Sequence, residues 1–166
     1  MHMSKDIVLV SVPKLDPTMP IAGPAVLKSQ LEDNGFSCVY MDMNIYLYNN
    51  MKKADELWWG DEHPCWLDID LLVDEWGSQL RQHIFTFADS VLEHDPKWIG
   101  ITQFSTTSQA PSMLLIDMLR SIGYTGKFVL GGPACMEFGS ESPIVSKVDH
   151  IIYGEGEESL VQLLKG

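Results

Sequence analysis

Short apolar runs alternate with helical segments along the whole chain, and this alternation restricts the fold more than any single residue does. Ile7-Val8-Leu9-Val10-Ser11-Val12 is a β-branched run with no polar alternation, as in a strand covered on both faces. Phe36 to Met43, Trp98 to Phe104, Lys127 to Leu130 and Val148 to Tyr153 read as four further strands. Between them, a helix fits Pro24 or Ala25 to Asn34, with Gly35 placed to cap it in the left-handed conformation. Leu80, Ile84, Phe87 and Val91 mark one buried helical face that ends at Asp95-Pro96. Pro111 opens an apolar helix over Met113 to Ile122, closed by Gly123. A short helix is expected in Phe138 to Ser146, and Leu160, Val161, Leu163 and Leu164 begin a last one.

Strands in alternation with helices imply a five-stranded parallel sheet with right-handed crossovers and helices on both faces. In 166 residues this is one domain spanning 1–166, with a single core. One stretch breaks the rhythm. Asn44 to Gly77 holds Tyr46, Tyr48, Trp58, Trp59, Trp66 and Trp76, and is read as an aromatic-rich insertion (about 45–77) after the second strand, with one or two short helices. Its tryptophans either cap a planar ligand or partner, or plug the insertion onto the core.

Charge and composition remove several function classes. A net charge of −12, from 11 scattered cations against 23 acids, argues against nucleic acid or an anionic membrane surface as a partner. No apolar run reaches the ~20 residues of a membrane span, and no signal peptide is visible, so a cytoplasmic protein is expected. Cys38, Cys65 and Cys135 have no metal-type spacing and read as inert buried thiols. The five histidines are dispersed, and His150, inside a strand, reads as a hydrogen-bonded core residue. No nucleophile–base pair, metal cluster or phosphate loop is present, so no catalytic residue and no protein metal ligand is expected.

Parallel sheets of this kind bind ligands outside the carboxyl ends of their strands. The loops at that edge, 13–24, 105–110, 131–138 and 154–157, are the ones rich in glycine, proline and hydroxyls. Gly131-Gly132 offers backbone without side chains, suited either to close ligand approach or to a tight turn. Ser105 to Ser108 offer hydroxyls for a ligand or for capping a helix. Glu155, Glu157 and Glu158 suit a helix N-terminus and disfavour a phosphate there.

The proline-rich loop after the first strand, Met41-Asp42-Met43-Asn44, Trp98-Ile99-Gly100-Ile101-Thr102, Gly131-Gly132-Pro133 and the final Val148-Asp149…Tyr153-Gly154-Glu155-Gly156-Glu157 together carry a resemblance. The chain resembles the N-terminal cobalamin (vitamin B12)-binding domain of cobalamin-dependent radical S-adenosylmethionine enzymes. The final segment is the most specific part, and the insertion matches least. The resemblance implies a Rossmann-like (flavodoxin-like) three-layer α/β domain, a metal-ion-binding module only through its cobalamin, serving an enzyme of methyltransferase type. Carried over by position, it assigns Gly131, Gly132 and Pro133 to the turn beside the nucleotide tail and Ser105 and Thr106 to the hydroxyl loop. It assigns Gly154, Glu155, Gly156 and Glu157 to the last turn, and the loop around Asp16, Thr18, Met19 and Pro20 to the corrin.

Two departures qualify this. Thr18 stands where cobalamin carriers of the D-x-H-x-x-G type have histidine, so no lower histidine ligand is expected. No C-x-x-x-C-x-x-C motif occurs, so the radical domain, with its iron–sulfur cluster and S-adenosylmethionine, is absent and would act in cis or in trans. The chain alone is then expected to bind cofactor and catalyse nothing, as an excised domain or a stand-alone fragment. Two alternatives remain: a cofactor-free docking domain of the same fold, or a flavodoxin-like domain binding another small ligand.

Overall fold

A computed structural model describes residues 3–51 and 64–166. Five parallel strands, β1 (Ile7–Ser11), β2 (Cys38–Asp42), β3 (Trp98–Thr102), β4 (Lys127–Gly131) and β5 (His150–Ile151), lie in the order β2-β1-β3-β4-β5. This is a Rossmann-like, flavodoxin-ordered α/β fold, as the alternation of runs required. Helices α1 (Gly23–Asp33) and α5 (Glu157–Lys165) cover one face, packed on Ile7, Leu9 and Val129. Helices α2 (Met43–Asn50), α3 (Ile69–Leu92) and α4 (Gln109–Ser121) cover the other, packed on Val8, Val10, Ile99 and Ile101. Successive strand residues therefore feed two separate cores, which is why β1 shows no polar alternation.

The caps at Gly35 and Gly123 behave as their positions demand. At the end of α1, Phe36 N–H donates to Leu31 O and Gly35 N–H to Glu32 O, with Gly35 at φ 85°. At the end of α4, Tyr124 N–H donates to Leu119 O and Gly123 N–H to Arg120 O, with Gly123 at φ 102°. Both are Schellman closures, in which the glycine takes the left-handed conformation that frees its neighbours to satisfy the last carbonyls.

The helix that carries Leu80, Ile84, Phe87 and Val91 is preceded by a helical segment from Ile69, capped by Asp68, which accepts from Asp70 N–H and Leu71 N–H. The two meet across a kink at Gly77, whose φ 50° and ψ −130° are not helical, in keeping with a short helix inside the insertion. Three expectations need correction. No α-helix forms in Phe138 to Ser146; short 3-10 turns lie instead at Pro133–Glu137 and Val145–Lys147. The fifth strand is cut to two residues at the sheet edge, where only β4 offers pairing. As a result His150 is exposed rather than in the core, its ring lying 5.6 Å from that of Trp98.

Within the aromatic stretch, Trp66 is fully buried in the main core, so this tryptophan plugs the segment onto the domain. Trp58, Trp59 and the side chain of Trp76 lie outside the described residues. Cys38 and Cys135 are buried, and burial pushes both thiols up to about 11, so neither is reactive near neutral pH. Among the described residues, no helix is long and apolar enough to cross a membrane.

Candidate functional site

Chain order sends β2 to one side of β1 and β3 to the other, and a crevice opens at such a switch point. A cleft of about 350 Å³ lies there, running from the strand ends down the α1/α5 face of the sheet. Such a volume falls in the range of ~300–1,000 Å³ usual for small-ligand sites. Its floor is a row across the sheet. Leu9 of β1, Gly100 of β3 and Val129 of β4 stand in register. A Cβ on Gly100 would lie 2.9 Å from Leu9 Cδ2, so the missing side chain lets Leu9 lie flat against the sheet.

The walls come from the helices. Pro24 and Leu27 on α1 face Leu160 on α5 across the opening. At Gly156, the N-cap of α5, a Cβ would come 3.4 Å from Leu27 Cδ2, so the start of α5 lies next to α1. Thr102, Gly131, Gly132, Pro133, Gly154, Glu155 and Glu157 form the mouth at the strand ends. Among the described residues no Lys, Arg or His lines the cleft, and no group of three or more His, Cys, Asp or Glu could hold a metal ion.

The expected site residues divide into two groups. Gly131, Gly132, Pro133, Gly154, Glu155, Gly156 and Glu157 are brought together around this one cleft. Ser105 and Thr106 share the rim but not the lining; it is their neighbour Phe104 that reaches the cleft. The Ser105 hydroxyl is 2.6 Å from that of Thr107, and Ser108 N–H donates to Ser105 O, so this loop spends much of its polarity on the turn that starts α4. Asp16, Thr18, Met19 and Pro20 also stand outside the lining, which takes Ile21, Ala22 and Gly23 from that loop instead. There Asp16 accepts from both the Thr18 hydroxyl and its N–H, and these bonds hold the Asp16 carboxyl below its usual range. Asn44 fixes the loop, accepting from Leu15 N–H and donating to Leu15 O, both at 3.1 Å.

Around the mouth, four different loops expose apolar side chains on the same rim: Met19, Phe104, Met136 and Tyr153, between 48% and 67% exposed. Reading the sequence missed Gly100, Leu27, Ile152 and Leu160 as lining. For Gly100 a signal existed: a lone glycine inside an otherwise apolar strand marks close approach.

The fold and cleft thus define a flavodoxin-ordered α/β domain with a largely apolar, glycine-edged cleft at its switch point. No protein-family model matches the chain, and no curated protein does. Among solved structures it is similar to the radical S-adenosylmethionine methyltransferase TsrM from Kitasatospora setae. With tryptophan substrate and the S-adenosylmethionine analogue aza-SAM bound, TsrM matches at 18% identity and TM-score 0.63, over 98% of this chain and 25% of that one. With cobalamin and a 4Fe-4S cluster bound, it matches at 20% identity and TM-score 0.61, over 98% of this chain and 26% of that one. The likeness is one of fold, and the chain spans about a quarter of the length of the chains it matches.

Proposed function

We propose that this chain is the cobalamin-binding module of a radical S-adenosylmethionine enzyme of methyltransferase type. The observation that carries the reading is the glycine-edged apolar cleft beneath the sheet rim, on a fold shared with a cobalamin-containing methyltransferase structure.

The residues present fit such a group in two parts. A corrin is too large for about 350 Å³ and belongs on the open rim, where Met19, Phe104, Met136 and Tyr153 expose apolar surface. The nucleotide tail is slender and ends in a flat base, and it suits the cleft between α1, α5 and the Leu9–Gly100–Val129 row. Gly131-Gly132 and Gly154 to Gly156 would let the backbone meet the tail closely. Among the described residues no histidine lines the cleft. When bound, cobalamin supplies a cobalt centre suited to methyl transfer; the radical chemistry belongs to a catalytic domain in cis or in trans.

A cofactor-free docking domain is the second reading, and it draws on the same exposed rim. Incubation of the purified chain with hydroxocobalamin, followed by desalting, separates the two. Near-stoichiometric corrin absorbance in the protein fraction is expected, and a colourless protein contradicts the cobalamin reading. Flavin retained by the protein as purified would favour a flavodoxin-like ligand instead.

A further inference from the structure

The inner part of the cleft has an uneven chemistry. The side chains that reach its body are Leu9, Leu27, Val129, Ile152 and Leu160, all apolar. Its polar side chains, Thr102, Glu155 and Glu157, sit at the strand ends and the last turn. Backbone polarity is largely spent as well. Each of β1, β3 and β4 is paired with a strand on both sides, so their N–H and C=O groups are committed to the ladders where they pass beneath the cleft. A polar group pushed to this depth would lose its water and find few partners.

Depth is set by Gly100. Any side chain there would displace Leu9, whose Cδ2 would be 2.9 Å from the new Cβ, and would also press on Ile7 Cδ1 at 3.4 Å. The opposing wall is Leu27, half-buried on α1. The room for a flat ring is the gap between these two.

We infer that this cleft selects among corrinoids by the polarity of the base that ends the nucleotide tail. It favours a bicyclic apolar base such as dimethylbenzimidazole over adenine, with Gly100 and Leu27 setting the space. The inference rests on the cobalamin reading above. Adenine carries an exocyclic amine and extra ring nitrogens, and burying them unpaired costs binding, whereas the benzimidazole methyl groups gain from the apolar walls.

Equilibrium dialysis of the full chain against hydroxocobalamin, its adenine-based counterpart and cobinamide, which lacks the tail, tests this. The adenine form is expected to bind about tenfold or more weakly than cobalamin. Gly100→Val and Leu27→Trp are each expected to reduce cobalamin binding to the level of cobinamide. Leu27→Trp changes a half-buried residue of the helix wall and leaves the strand residues as they are, so it decides the matter should Gly100→Val fail to fold. Equal affinity for the two bases, or an unchanged preference in Leu27→Trp, overturns the selection while leaving cobalamin binding intact. No binding of any corrinoid overturns the cobalamin reading and this inference with it.

Discussion

A Cβ on Gly132 would lie 2.5 Å from the main-chain oxygen of Gln103, and 3.0 Å from that residue's carbonyl carbon and nitrogen. The turn after β4 is thus pressed against the chain leaving β3. Gln103 N–H donates to Gly131 O, and Gln103 O accepts from Ala134 N–H, which clips the two rim segments together. Gly132 holds φ 109° and ψ 169°, a conformation open to glycine alone.

Gly132→Ala therefore combines a forbidden conformation with a backbone collision. A loss of about 2 kcal/mol or more is expected, seen as a fall in Tm on the order of 5 °C in thermal denaturation. An alanine variant as stable as the parent would contradict this close approach.

The side chain of Gln103 makes a second, separable prediction. It is fully buried; its Nε2 donates to Ser112 Oγ at 2.6 Å, and among the described residues its Oε1 has no hydrogen-bond partner. Ser112→Ala would strand the amide nitrogen too, at a cost of about 1–3 kcal/mol. The double change Gln103→Leu with Ser112→Ala removes the stranded groups together and is expected to recover most of that loss in urea denaturation. A double variant less stable than Ser112→Ala would show that Oε1 is satisfied after all.

At the opposite edge of the sheet, Asp6 ties β1 to the start of β2. Its carboxylate accepts from Lys97 Nζ, Ser37 N–H and the Ser37 hydroxyl, and the Lys97 bond is the largest cause of its lowered pKa. A carboxyl depressed in the folded state stabilises above its unfolded value, about 4, and loses that contribution as pH falls through the lower folded value. Asp6→Ala is expected to cost about 1–2 kcal/mol at pH 7, with the difference shrinking below pH ~4. Urea titrations at several pH values check it; a difference that does not change with pH would contradict the linkage.

Much of this architecture was legible because each strand is a buried apolar run and each helix carries its own stop signal. Gly35 and Gly123 were readable as caps since no other residue fits that closure so well. The fifth strand was not readable in length: Val148 to Tyr153 is apolar enough to be a full strand, but an edge position with one pairing neighbour leaves most of it outside the ladder. The same edge explains why His150 is exposed. Asp68 as a cap was hidden inside a segment whose aromatics drew attention elsewhere.

For the site, the glycines at 131, 132, 154 and 156 were readable because they punctuate strand ends. Leu27 and Leu160 look like any helical core residue in sequence. Only the packing of α1 against α5 turns them into cleft walls. Ser105 illustrates the reverse case, a hydroxyl that sequence cannot assign between a ligand and a turn until it is seen 2.6 Å from the Thr107 hydroxyl.

The central claim is that cobalamin occupies the rim at the switch point. Labelling the glycine amides with nitrogen-15 and adding hydroxocobalamin tests it directly, because glycines mark both edges of the sheet. The resonances of Gly131, Gly132, Gly154 and Gly156 are expected to shift, while Gly35 and Gly123, which close helices at the far edge, stay in place. A spectrum left unchanged by cobalamin, or one in which Gly35 and Gly123 move and the rim glycines do not, would contradict the account.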